Sequence, residues 1–507
     1  MAHSHRSLSR RALASFPVCA FSFIGIACSD ANTGSQSSVG DLGPTAAPTS
    51  TSGAGTDAPG SSVGDRGGAV ATEVPAGTNS GEGSPGPLPL TPAGSEPSGT
   101  GTPPGEPSGE TGDLPSDEPP VSAGPLPLVF DRENTGADCP AAPAQPAFDA
   151  LTSTANLPDP FLLFDGTRMT RREQWRCRRS EIGSLIQFWG SGPKGAPPSS
   201  VTATLSGDAL TVVVSQNGTA ITLTSTINRP AGPGPFPLVI GMNTPTGSLP
   251  GDLFDGVATM AFDAAQLVPS SFNVPRGDGA YFDMYPDTNT GAMIEWAWGV
   301  SRLIDGLYMT AGQNDIDLEH IGVTGCSFQG KMALYAGAFD ERIALVIPEE
   351  SGGGGEASWR FMATQTGTED LEVAQGTAWY ARNLLQFRNA DAPKLPYDMH
   401  ELVALVAPRA ILAIHNTGID RLASQAASVS MRAAAEVYEA LGIADRIGFS
   451  QTNAPAHCSF PTSQAPEVQA FVSKFLRGDT SANTSVANDA YNTDLAPWVT
   501  WSTPELE

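Results

Sequence analysis

The folded part of the sequence predicts a three-layer α/β sandwich, a mostly parallel β-sheet with helices on both faces. Three observations carry that expectation. Short apolar runs bounded by turn residues alternate with longer segments whose apolar residues recur every three or four positions, as parallel strands and crossover helices do. One of those runs breaks at Thr324-Gly325 and resumes as a helical pattern, with Ser327 at the break. A composition shift near Leu126 separates a globular region of about 380 residues from an N-terminal stretch too polar and too small in its side chains to fold.

Residues 1–28 read as a secretory signal. Arg6, Arg10 and Arg11 precede a mostly apolar run from Ala12 to Ala27, too short and too interrupted by Pro17 for a membrane span. The run ends in Gly25-Ile-Ala-Cys28, close to a bacterial lipoprotein cleavage site, so Cys28 is a candidate lipid anchor. Leucine is absent from its usual place three residues before that cysteine, and a plain leader cleaved nearby is the alternative. Residues 29–125 are Gly, Ser, Pro, Thr and Ala with scattered acids, a composition that cannot offset its ordering entropy and reads as a flexible linker. Residues 126–507 form the catalytic domain. The net charge of −26 argues against a nucleic-acid partner and for solubility outside the cell; the chain reads as a monomer.

Within that domain, Leu210–Val213 and Ala220–Thr224 flank Gln216-Asn-Gly218, a hairpin signal. Pro237–Gly241 and Val257–Phe262 read as buried strands. Gly291–Met309 carries Met293, Ala297, Val300 and Ile304 at helical spacing. Ile321–Val323, Ile343–Ile347, Ala410–Ile414 and Ile447–Ser450 are further strands, with helices over Ser424–Leu441 and Val468–Leu476. A serine on a sharp strand-to-helix turn has its hydroxyl pushed out of the sheet and the first helical N–H groups aimed at the same point. That is a nucleophile elbow, and with it the sandwich becomes an α/β-hydrolase fold. The common G-x-S-x-G spacing is not met: Gln329 stands where the second glycine belongs, and Gly330 and Lys331 follow it. Lys331 is four residues past Ser327, on the same helix face, where its ammonium would reach a polar substrate. Only four lysines occur in the chain, which makes this one less incidental.

A serine hydroxyl needs a general base and an acid to orient it, in the chain order Ser, acid, His for this fold. His457 lies in the loop Asn453–Pro461 after the last strand, where the base belongs; His415, at a strand end, is a rival, and His320 and His400 complete the set. Two acids qualify on position: Glu350 after the strand that follows the elbow, and Asp420 after the next one. Cys139, Cys177, Cys326 and Cys458 lie beyond the leader; export makes disulfides expected, and four cysteines permit three pairings. Metal-ligand spacing, a phosphate loop and a dinucleotide fingerprint are all missing, so neither a metal nor any cofactor is expected.

The motif Gly325-Cys-Ser-Phe-Gln-Gly-Lys331, with Gly322-Val-Thr before it and Ala338-Phe-Asp-Glu-Arg-Ile-Ala344 after, resembles carbohydrate esterase family 15, the 4-O-methyl-glucuronoyl methylesterases. The similarity runs along nearly the whole domain, through Trp175-Arg-Cys-Arg-Arg179, Arg276-Gly-Asp-Gly-Ala-Tyr281, Trp296-Ala-Trp-Gly-Val-Ser-Arg302, Glu350-Ser-Gly-Gly-Gly-Gly355 and His457-Cys-Ser-Phe-Pro461. The resemblance implies a serine esterase cleaving esters between 4-O-methyl-glucuronate on xylan and lignin alcohols. It implies Ser327 as nucleophile, His457 as base and Glu350 as acid, with Asp420 in reserve. Bridges Cys326–Cys458 and Cys139–Cys177 follow from it too, the first tying the nucleophile's neighbour to the base's. Lys331 carries over as a sugar contact, and Gln375 is a plausible second one.

Two departures stand out. The family has arginine after the nucleophile, where it helps hold the oxyanion and the uronate; here that residue is Phe328, whose backbone N–H alone remains for the oxyanion. A substrate-contacting tryptophan of the family is replaced by Arg421, whose guanidinium would take over from the other side of the pocket. The family's sugar-binding acid has no evident counterpart before Trp379. A surface carbohydrate-binding protein that has lost turnover, or an esterase of altered substrate, are the competing readings.

Overall fold

The computed structural model describes residues 126–269, 275–286, 289–454 and 456–507. The expected signal with Cys28 and the linker lie outside the described residues.

The chain enters through α1 (Gln174–Leu185) and an antiparallel three-stranded sheet, β1 (Ser200–Ser206), β2 (Ala209–Gln216) and β3 (Thr219–Thr226), in the order β1-β2-β3. Asn217 and Gly218 both take positive φ (53° and 82°), the two-residue turn that an Asn-Gly pair favours, and Gln216 pairs with Thr219 across it. β1 was not foreseen, because its alternating Val201, Ala203 and Leu205 bury only halfway.

The central sheet has seven strands: β4 (Phe236–Met242), β5 (Ala258–Phe262), β6 (Ile316–Cys326), β7 (Leu345–Glu349), β8 (Ala410–Asn416), β9 (Ile447–Thr452) and β10 (Ala487–Asn488). All pairings are parallel, in the order β10-β9-β8-β7-β6-β4-β5. Between β4 and β5 lies only a short connection. From β5 the chain passes through α2 (Ala280–Met284) and α3 (Ala292–Met309) and returns to the other side of β4 as β6. The strand order therefore reverses between β4 and β6, and a crevice opens at their carboxyl ends, the usual ligand position in such sheets.

The strands are buried on both faces yet keep the period of two. Val346, Ile411 and Ala413 face the larger core, while Leu345, Ile347, Leu412 and Ile414 face the smaller one under α9 (Ala465–Phe475). On the larger side α4 (Phe328–Phe339) follows β6 directly. Beyond β7 come the short helices α5 (Trp359–Met362), α6 (Leu371–Ala374) and α7 (Met399–Ala404), and after β8 the long α8 (Ser424–Ala440). Helix α3 is apolar nearly all round because it is covered on both sides. Gly306 leaves room for Val212 of the small sheet, and Gly299 for Phe262 and Leu267.

Of the expected boundaries that move, two bear on the site. β6 does not break at Thr324-Gly325 but runs on to Cys326, because Gly325 and Cys326 pair with Pro348 and Glu349 of β7 and Thr324 Oγ1 donates to Ile347 O. β7 starts at Leu345 rather than Ile343, whose N–H closes a turn onto Asp340 O.

Candidate active site

Ser327 caps α4 at the carboxyl end of β6, with φ 62° and ψ −129°, a conformation that costs a non-glycine residue of order 1–3 kcal/mol. What holds it there is visible. Ser327 N–H donates to Glu349 O at 2.9 Å and its carbonyl accepts from Lys331 N–H at 3.0 Å. The glycine spacing follows from contact. A Cβ on Gly325 would lie 2.5 Å from Gln329 O, and one on Gly330 would lie 2.7 Å from both Glu349 O and Ser351 Oγ. The second glycine therefore belongs one residue late, where the helix presses against the end of β7.

The acid loop leaves β7 at Glu350, which also takes positive φ (47°) and donates its N–H to Ile414 O at 2.7 Å. Its carboxylate is buried. Oε2 lies 2.5 Å from His457 Nδ1 and accepts the Cys458 N–H at 2.9 Å, so one oxygen fixes both the imidazole and the loop that carries it. Among the described residues His457 Nε2, the other ring nitrogen, makes no hydrogen bond, from Ser327 Oγ or from any other group. The Cys326–Cys458 disulfide, Cα to Cα 5.8 Å, ties the residue before the serine to the residue after the histidine, and Cys139–Cys177 forms the second bridge. Both bridges match those the family resemblance implies.

Asp420 is exposed at the start of a short turn, Asp420–Leu422; the structure brings Glu350, not Asp420, to His457. The rival His415 is buried in a different network, its Nε2 paired with Glu356 and its Nδ1 3.1 Å from Ser424 Oγ. His400 is buried against Trp501 with Nε2 2.9 Å from Pro158 O, and burial lowers its pKa to about 4. His320 lies within β6, half-buried, with Nδ1 2.8 Å from Asp317 Oδ2. Among the described residues, Cys326, Glu350, His457 and Cys458 bring four possible ligand atoms within 4.8 Å of one another. The two sulfurs are bonded together and the carboxylate is spent on the imidazole, so this donor set does not suit a cation.

Beside the serine, Phe328 stacks on Trp379 (centroids 5.6 Å apart, planes 19° apart) and leans on Trp296. An aromatic wall thus stands where the family's arginine would be. Lys331 is buried, with Nζ 5.6 Å from the Trp379 ring and 3.0 Å from Glu369 Oε2. The other oxygen of Glu369 lies 3.2 Å from Arg421 Nη1. Glu369, which the sequence does not single out, thus joins the two cations. It lies ten positions before Trp379 in a polar stretch, Thr364–Asp370, with no periodicity to mark it. Gln375 donates its amide to Phe387 O at 2.5 Å, so one end of the side chain expected to touch substrate is a tie to a neighbouring loop.

Glu349, directly before the acid Glu350, is fully buried. One oxygen accepts from Ser248 Oγ, in the loop after β4, and the other has no hydrogen-bond partner among the described residues. Burial, reinforced by the charge on Glu350 and opposed by the Ser248 bond, pushes its pKa up to about 7.

A serine elbow at the switch point of a parallel sheet, with a His–carboxylate pair bridged to it, defines a class: the chain is a carboxylic ester hydrolase of the α/β-hydrolase fold. Residues 212–442 match the family model described as fungal glucuronyl esterase. A 4-O-methyl-glucuronoyl methylesterase of Hypocrea jecorina is 39% identical over 379 residues, 73% of this chain and 81% of the relative. One from Schizophyllum commune is 38% identical over 374 residues, 71% and 94% of the two chains. Among solved structures, the catalytic domain of the Hypocrea jecorina glucuronoyl esterase superposes with TM-score 0.65 at 38% identity, covering 72% of this chain and 100% of that one. A serine-to-alanine variant of the Sporotrichum thermophile enzyme, in complex with methyl 4-O-methyl-β-D-glucopyranuronate, gives 0.67 at 35% identity, covering 70% and 97%. The chain belongs to carbohydrate esterase family 15, the glucuronoyl esterases.

Proposed function

We propose that this protein hydrolyses 4-O-methyl-glucuronoyl esters, those that join glucuronoxylan to lignin alcohols, through Ser327, His457 and Glu350. The observation that carries the assignment of residues is the Glu350–His457 contact, bridged through Cys326–Cys458 to the strained Ser327. His457 Nε2 takes the Ser327 proton as Oγ bonds to the ester carbon, and Glu350 steadies the imidazolium. The oxyanion is held by the Phe328 backbone N–H at the first position of α4, aided by Arg421. The tetrahedral species collapses with cleavage of the bond to the alcohol, which leaves with the proton from His457. Water then gives a proton to His457, its oxygen attacks the acyl carbon, and Ser327 recovers the proton as the uronic acid departs and ionises. Lys331 fixes sugar hydroxyls, and no cofactor enters.

The domain, residues 126–507, acts as an exported monomer. The N-terminal sequence supports export through a signal over residues 1–28, and anchoring at Cys28 with residues 29–125 as a tether. Acid release from benzyl glucuronate, beside p-nitrophenyl acetate, tests the reading in the parent and Ser327→Ala. Glucuronate-ester cleavage that vanishes in the variant is expected, together with fluorophosphonate labelling of Ser327. Turnover of acetate alone would mean a different acyl group, and a folded but inert protein would overturn the reading.

A further inference from the structure

Lys331, Glu369 and Arg421 come from three separate pieces of chain: helix α4, the loop between α5 and α6, and the turn after β8. One carboxylate joins them, with Oε2 on Lys331 and Oε1 on Arg421. Glu369 is held in place independently of its side chain. Its N–H donates to the Arg421 carbonyl at 2.8 Å, and the acid loop packs so tightly on its own carbonyl that a Cβ on Gly353 would lie 1.8 Å away. The Glu369 side chain is 10% exposed, whereas that of Arg421 is 48% exposed at the mouth of the cluster. Two residues after Arg421, Ala423 lies in the left-handed region (φ 53°), which sets the direction of the turn.

The charges of the three side chains sum to one positive. The reaction changes charge: a glucuronoyl ester enters neutral at its carboxyl carbon and leaves as an anion. Two uncompensated cations beside the serine would favour that anion over the ester, and the first product would occupy the site. We propose that Glu369 is a specificity-determining residue that separates neutral glucuronoyl ester from free uronate. It holds Lys331, the donor for the sugar, and Arg421, the donor for the oxyanion, on one carboxylate, and it cancels one of their charges so that the uronate can leave. Phe328 serves the same end, since an uncharged aromatic ring replaces a third cation next to the nucleophile. The inference rests on the proposed glucuronoyl esterase reading and deepens it.

The test is product inhibition. Steady-state hydrolysis of benzyl glucuronate is measured for the parent, Glu369→Gln and Arg421→Gln, with sodium D-glucuronate as inhibitor. In Glu369→Gln the ratio of Ki for glucuronate to KM for the ester is expected to fall about tenfold, and added salt should shrink the change. Arg421→Gln, which also removes the guanidinium placed at the oxyanion and is therefore read by the ratio and not by the rate, should move the ratio the other way. An unmoved ratio in both variants, or a rise in Glu369→Gln, would overturn the inference. A loss of turnover with the ratio preserved would also overturn it, because that is what a purely structural role produces. Failure of the parent to cleave the glucuronate ester would instead refute the underlying reading.

Discussion

Replacing Glu349 by glutamine isolates one buried charge. The side chain is fully buried next to Glu350, with Ser248 as its one hydrogen-bond partner among the described residues, and its pKa rises from 4.5 to about 7. A carboxyl group whose pKa is raised on folding binds its proton more tightly in the native state. Its favourable contribution is therefore complete below pH 4.5 and is lost as pH rises towards and through about 7. The difference between the two values corresponds to roughly 3 kcal/mol. Glutamine keeps the size and one hydrogen bond to Ser248 but has no proton to lose. The stability of Glu349→Gln relative to the parent should rise by roughly 3 kcal/mol between pH 4.5 and 7.5. Urea unfolding of both proteins at half-unit pH intervals measures it, and taking the difference removes the other buried groups, such as Glu401, that titrate in the same range. A difference independent of pH would refute the reasoning. It would mean that water or a rearranged partner already solvates the carboxylate.

Removing the Cys326–Cys458 bridge by paired serine substitutions releases a closed loop of sequence separation 132 and should cost about 4–5 kcal/mol in unfolding free energy, with a further fall in kcat as Ser327 and His457 lose their tether. His457→Ala should lower kcat by about 10³ or more, and since it unpairs the buried Glu350, which keeps the Cys458 N–H, it should also lower the melting temperature somewhat. His415→Ala should chiefly cost stability, about 1–3 kcal/mol for the buried polar atoms it leaves without their partner, with a smaller effect on kcat.

What could be read from residues alone was whatever is local in the chain. Strand and helix periods, the Asn217-Gly218 turn and the strand–serine–helix junction each lie within a few consecutive residues, so the α/β-hydrolase fold, Ser327 and the candidates around it were legible. So was the charge exchange at Phe328 and Arg421, because it lies inside a recognisable family pattern. Tertiary structure alone decided matters of long-range company. Glu350 and Asp420 were equivalent by position, and only the fold brings the first to His457, 107 residues away. His415 and Glu349 take their meaning from burial, which no short window reports and which gave one a carboxylate partner and deprived the other of water. Glu369 carried no signal at all. Its role exists only because a loop 38 residues beyond Lys331 packs between the acid loop and the Arg421 turn, where a single carboxylate can face both cations.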